Sequence, residues 1–146
     1  MLKRHTVWLW TAAVFLFLTA ALHSISFVIS PTGKTEAERQ MLALMINNKM
    51  DMGAGFHPTM WNLFTALSAC FSLLFLLAGL TLAFLLKKKA AAAGVLKGVV
   101  TIQLLVIGTS FIINLFLTFP VPILVSGLCV LFLAIGLLMT PRVNAS

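Results

Sequence analysis

Six side chains able to bind a ligand or move a proton lie in or beside long apolar runs: His23, Asp51, His57, Trp61, Asn62 and Asn114. An imidazole oriented by a carboxylate is a general base, which would cast His23 and Asp51 as an acid–base pair. Two imidazoles and a carboxylate could also ligate a metal, with His23, His57 and Asp51 as the set. Neither a His-x-x-x-His nor a Glu-x-x-His element accompanies them, so no metal and no cofactor is expected. Met41, Met45, Met50, Met52 and Met60 offer soft thioethers suited to copper(I), although Met41 and Met45 fit the packed face of a helix better. Cys70 and Cys129 fall in mid-run with no thiolate-stabilising neighbour in sequence and are expected to be inert, buried thiols. A Ser/His/acid set, a Gly-rich phosphate loop and a nucleic-acid motif are all missing from the sequence.

The elements that must position these groups follow from composition. Of 146 residues, 61% are apolar and only 9% charged, with a mean hydropathy of +1.10. A soluble domain carries about 25% charged residues, so a soluble enzyme or binding module is excluded. A membrane-crossing helix needs about 20 mostly apolar residues. Four stretches qualify, at about 7–29, 60–86, 98–119 and 121–140. Lipid offers no partner to an open backbone, so each is expected to be helical. The expected fold is an all-α membrane protein, a four-transmembrane-helix bundle forming one integral membrane domain over residues 1–146. The first run follows Met1-Leu2-Lys3-Arg4 as a signal peptide would, but it is longer than the usual h-region of about 7–15 residues and carries Trp8 and Trp10. It is read as a retained span.

The formal charge of +7 becomes informative once it is sorted by side. Lys3, Arg4, Lys87, Lys88, Lys89, Lys97 and Arg142 fall on one side, unaccompanied by any acid. Lys34, Arg39 and Lys49 fall on the other with Glu36, Glu38 and Asp51, and cancel. The positive-inside rule therefore predicts cytoplasmic termini. The excess charge would meet anionic headgroups, and nucleic acid is not expected as a partner.

The 30–59 connection is expected to carry the extramembrane structure. Thr35-x-x-Glu38 has capping-box spacing, and from Glu36 to about Met50 apolar residues recur at helical intervals. The reading is a short amphipathic helix, on the outer mouth of the bundle or in the interface. Residues 52–58 (Met-Gly-Ala-Gly-Phe-His-Pro) read as a flexible bridge. Phe119-Pro120-Val121-Pro122 reads as a tight turn between the last two spans.

Polar residues within spans are costly in lipid and usually face the bundle interior. His23, Asn62, Asn114 and Ser126 are expected at similar depth beneath the loop carrying Asp51 and His57, which suggests a polar site with an apolar floor. The plainer reading has them hydrogen-bonding across helices at about 1 kcal/mol per contact, and it carries the greater weight. Gln103 is read the same way, in the opposite half of its span. Gly94-x-x-x-Gly98 has the spacing of a helix-dimerisation motif, at a helix end beside Lys97.

The pieces His23-Ser24, Pro31, Met45, Asp51-Met52-Gly53, Trp61, Ser68, Phe71-Ser72-Leu73 and Phe119-Pro120-Val121-Pro122 form a pattern over about residues 15–138. In this the chain resembles an uncharacterised bacterial family of small four-span inner-membrane proteins. Where that pattern has Arg-Ser-Tyr-Trp after the glycine, this chain has His57-Pro58-Thr59-Met60-Trp61, so no role for the arginine carries over. The resemblance implies the fold and a bacterial cytoplasmic-membrane location, with no activity attached. The functional expectation is a non-enzymatic membrane protein binding membrane lipids, a lipophilic small molecule, a second copy or a partner helix at its outer mouth. The alternatives are an enzyme on a lipophilic substrate using His23 and Asp51, or a structural subunit of a membrane complex.

Overall fold

The computed structural model describes residues 4–25, 27–29, 31–88 and 93–141. Lys3, Lys89 and Arg142, which enter the charge reading above, and Ser26 of the first span lie outside the described residues. Five helices follow in order: α1 (Arg4–Ile25), α2 (Glu36–Asn47), α3 (Met60–Lys88), α4 (Ala93–Leu117) and α5 (Pro120–Leu138). All but α2 are long and apolar enough to cross a membrane, and no strand occurs among the described residues. The protein is an all-α, membrane-spanning helical bundle.

Helix ends depart from the apolar runs where backbone chemistry overrides hydropathy. α1 stops at Ile25 instead of Ile29, because the amides of Phe27 and Val28 fold back three residues onto Ser24 O and Ile25 O. α5 begins at Pro120, with Phe119 as an extended N-cap (φ −99°, ψ 170°). Proline is at home there, since its missing N–H is one that the first turn leaves unpaired anyway. Within the spans, the hydroxyls of Thr11, Thr19, Ser24, Thr65, Ser72 and Thr109 each donate to the carbonyl four residues earlier. Those groups enter lipid already satisfied.

The chain divides into two compact units. Unit one takes the chain through Thr19 together with everything from Leu74 onward; unit two is Ala20–Leu73. Unit one holds the core, with Leu9, Leu16, Leu82, Val100, Cys129 and Leu133 fully enclosed. Small residues let its helices approach closely. A Cβ on Gly79 would lie 3.0 Å from the Phe17 ring, one on Gly127 3.0 Å from the Phe111 ring, and one on Gly136 2.7 Å from Leu9 Cγ. Phe132 stacks against Trp8 (5.9 Å between centroids), so this tryptophan is a packing residue as much as an interfacial anchor.

In unit two only Ala20 and Ser72 are buried among the described residues. α2 starts at the predicted capping box: Thr35 Oγ1 accepts the Glu38 amide (3.2 Å) and Glu38 Oε2 accepts the Thr35 amide (3.2 Å). The segment read as a flexible bridge is instead a closed hairpin. Lys49 pairs with Thr59 in an antiparallel bridge, Met50 N–H donates to Pro58 O, and Met52 N–H donates to Phe56 O. Phe56 N–H donates to Gly53 O across Ala54 (φ 52°) and Gly55 (φ 80°). Positive φ at both central residues is the type I′ geometry that suits a two-residue hairpin turn. The glycines serve this turn rather than flexibility.

Candidate functional site

Five of the six residues singled out in the sequence fall in unit two. His23, in the last turn of α1, is half-buried with its ring stacked on Phe71 of α3 (5.9 Å between centroids, 20° between planes). Its carbonyl accepts from Ser68 Oγ at 3.4 Å. His23, Ser68 and Phe71 therefore form one cluster tying the end of α1 to the early turns of α3.

Asp51 and His57 face each other across the hairpin. Asp51 Oδ1 accepts the Gly53 amide at 2.9 Å, a local turn that holds the carboxylate in place. His57 Nδ1 lies 3.9 Å from the same oxygen, and both side chains are largely exposed. An ion pair in such a solvated position adds little stability. The carboxylate expected to orient His23 is thus paired with His57.

Asn62 proves to be the third residue of α3. Its Oδ1 accepts the backbone and hydroxyl hydrogens of Thr59, while Thr59 Oγ1 accepts the Asn62 amide at 3.2 Å. This reciprocal cap repeats the logic of Thr35 and Glu38. The Thr59-x-x-Asn62 spacing was the signal that could have revealed it. Trp61, in the same first turn, is half-buried.

Asn114 belongs to unit one and makes an interhelical bond, from Nδ2 to Ser126 Oγ at 3.4 Å. Ser126 in turn donates to Pro122 O at 2.6 Å. Gln103 makes the interhelical hydrogen bond expected of it. It is 8% exposed, and its Nε2 bridges to Ala78 O of α3 at 2.9 Å. Its Oε1 is buried without a hydrogen-bond partner. A bridging bond in a membrane bundle averages about 0.6 kcal/mol, against about 1–3 kcal/mol for an unsatisfied buried acceptor. Gln103→Leu is therefore expected to unfold at the same or a higher denaturant concentration than wild type. A loss of stability would mean that Oε1 is satisfied in the membrane-embedded protein.

The cysteines divide. Cys129 is buried, 3.6 Å from Thr19 Oγ1, whereas Cys70 is exposed on α3, against the expectation of two buried thiols. Among the described residues, no group of three or more His, Cys, Asp or Glu side chains could hold a metal ion. No family model, curated protein or solved structure matches the chain.

Proposed function

We propose that this chain is a non-enzymatic integral membrane protein that binds a lipid-like or other apolar small molecule, with the His23 cluster of unit two as the recognition point. The observation that carries this reading is the half-buried imidazole stacked on Phe71 at a helix end. The imidazole gives the cluster a polar edge, while the exposed Phe64, Leu67 and Phe71 of α3 offer apolar area to a tail. The exposed Asp51–His57 pair in the same unit adds headgroup-binding capacity. Asn62 and Asn114, each engaged in a structural hydrogen bond, are left out of the proposed site.

The side-sorted charges support cytoplasmic termini, and the resemblance to small four-span proteins supports a bacterial inner membrane.

The test is a thermal-shift series on wild type and His23→Phe with phospholipids, quinones and divalent metals. Phenylalanine keeps a ring on Phe71 and removes only the nitrogens. A lipid-like ligand at about 100 times its Kd adds about 2.7 kcal/mol to the stability of the protein that binds it. Wild type is expected to gain this upshift, and His23→Phe to lose most of it, each read against its own ligand-free baseline. Equal shifts for both proteins with every compound would remove the site.

A further inference from the structure

The twelve-residue α2 has no buried residue, yet its apolar side is not uniform. At about 100° per residue, Leu42, Met45 and Ile46 occupy one arc, and Ala37, Met41 and Leu44 the adjacent one. The first arc packs in part, since Leu42 and Met45 are half-buried while Ile46 is 40% exposed. The second does not: Met41 is 56% and Leu44 66% exposed. The remaining arc is polar, with Glu36, Arg39, Gln40 and Asn47. The helix is three-sided, and its unpartnered apolar stripe faces neither its own unit nor the polar direction.

The backbone fixes where that stripe must be. The Lys49–Thr59 bridge and the Met50–Pro58 hydrogen bond tie the end of α2, at Asn47, to the first residue of α3, at Met60. α3 is long and apolar enough to cross a membrane, so α2 cannot drift far from the boundary where α3 enters. On the other side, the chain leaving α1 keeps Val28 and Ile29 exposed (85% and 63%), apolar area that water would penalise. Charge argues for a neutral surface. Lys34, Arg39 and Lys49 balance Glu36, Glu38 and Asp51, and Glu36 Oε2 pairs with Arg39 Nη2 at 2.8 Å. A stripe three residues long also falls well short of the roughly 800 Å² per partner of a stable protein interface.

We propose that α2 is an interfacial helix, lying in the membrane surface with Ala37, Met41 and Leu44 in the acyl boundary of zwitterionic lipid and its Glu36–Arg39 side in water. The inference requires only that α1 and α3 cross the membrane, and it is independent of ligand binding at His23. Helices of this kind bind through buried apolar area and charge, and here apolar area alone acts.

The experiment uses the full chain with Cys70 and Cys129 changed to alanine and single cysteines introduced as Met41→Cys, Leu44→Cys, Gln40→Cys and Asn47→Cys. Each is spin-labelled and reconstituted into phosphatidylcholine vesicles with and without phosphatidylglycerol. Collision rates with oxygen, which concentrates in lipid, and with a water-soluble nickel chelate report depth. Labels at 41 and 44 are expected to favour oxygen several-fold over those at 40 and 47, unchanged by phosphatidylglycerol. All four positions equally open to nickel would place α2 in water and overturn the proposal. So would labels at 41 and 44 shielded from both reagents, which would mean a protein cover. All four sites are exposed on one surface helix, so the labels leave the bundle core intact.

Discussion

Gly136→Ala is expected to lower the stability of the bundle by about 1–3 kcal/mol, the usual cost of overpacking a close contact. An alanine Cβ there would run into Leu9 Cδ2 and lie 2.7 Å from Leu9 Cγ and 3.5 Å from its backbone nitrogen. Leu9 is fully enclosed, so its side chain has nowhere to turn. The cost cannot be shed to lipid either, because the contact joins α1 to α5 inside unit one. Leu9→Ala alone is expected to cost about 2–5 kcal/mol by opening a cavity. Combined, the two changes should partly cancel, since the new methyl occupies space the leucine vacated. Unfolding of purified protein in mixed micelles would read a coupling of about 0.5–3 kcal/mol between them. Strict additivity would show that Leu9 and Gly136 do not touch.

That contact also marks where the sequence stops being legible. The uncharged run at 60–86 needed only hydropathy to become α3 (Met60–Lys88), because a segment of that length in lipid has no alternative to a helix. Thr35-x-x-Glu38 announced the start of α2, since a capping box is local and uses residues three apart. Local chemistry was equally available at Thr59-x-x-Asn62. There the apolar run alone suggests a costly intramembrane amide, because hydropathy does not mark where the helix's first turn begins. The hairpin was missed for a related reason: Gly53-Ala54-Gly55 suggests looseness by composition, whereas the ladder around it depends on Lys49 meeting Thr59. Pairings such as His23 with Phe71, Gln103 with Ala78 and Asn114 with Ser126 depend on helix rotation and register. A helix apolar on all sides carries no periodicity from which to read them.

The second large effect is expected at Gly33, and it acts on the part of the molecule with least to spare. A Cβ there would lie 2.6 Å from the Arg39 amide nitrogen and 2.9 Å from the Glu38 carbonyl carbon. Both are backbone atoms in the first turn of α2, so no rotamer change relieves the clash. Three bonds hold the same turn shut: Lys34 N–H to Glu38 Oε2 at 2.6 Å, and the reciprocal Thr35–Glu38 cap. A cap is worth about 1 kcal/mol, and overpacking of about 1–3 kcal/mol is enough to undo it. Because α2 has no buried residue, little protein packing compensates, and a helix of about 12 residues needs more than three side chains against lipid to hold its first turn. Gly33→Ala is therefore expected to open α2 as a local unit while α3, α4 and α5 stay folded. Hydrogen exchange in vesicles should show the amides from Leu42 to Asn47 losing protection, with those of α4 unchanged. Gly98→Ala is the matched control, since a Cβ at Gly98 meets no atom within 4 Å. Protection of α2 that survives Gly33→Ala would mean that lipid contact along Met41 and Leu44 suffices without the clamped first turn.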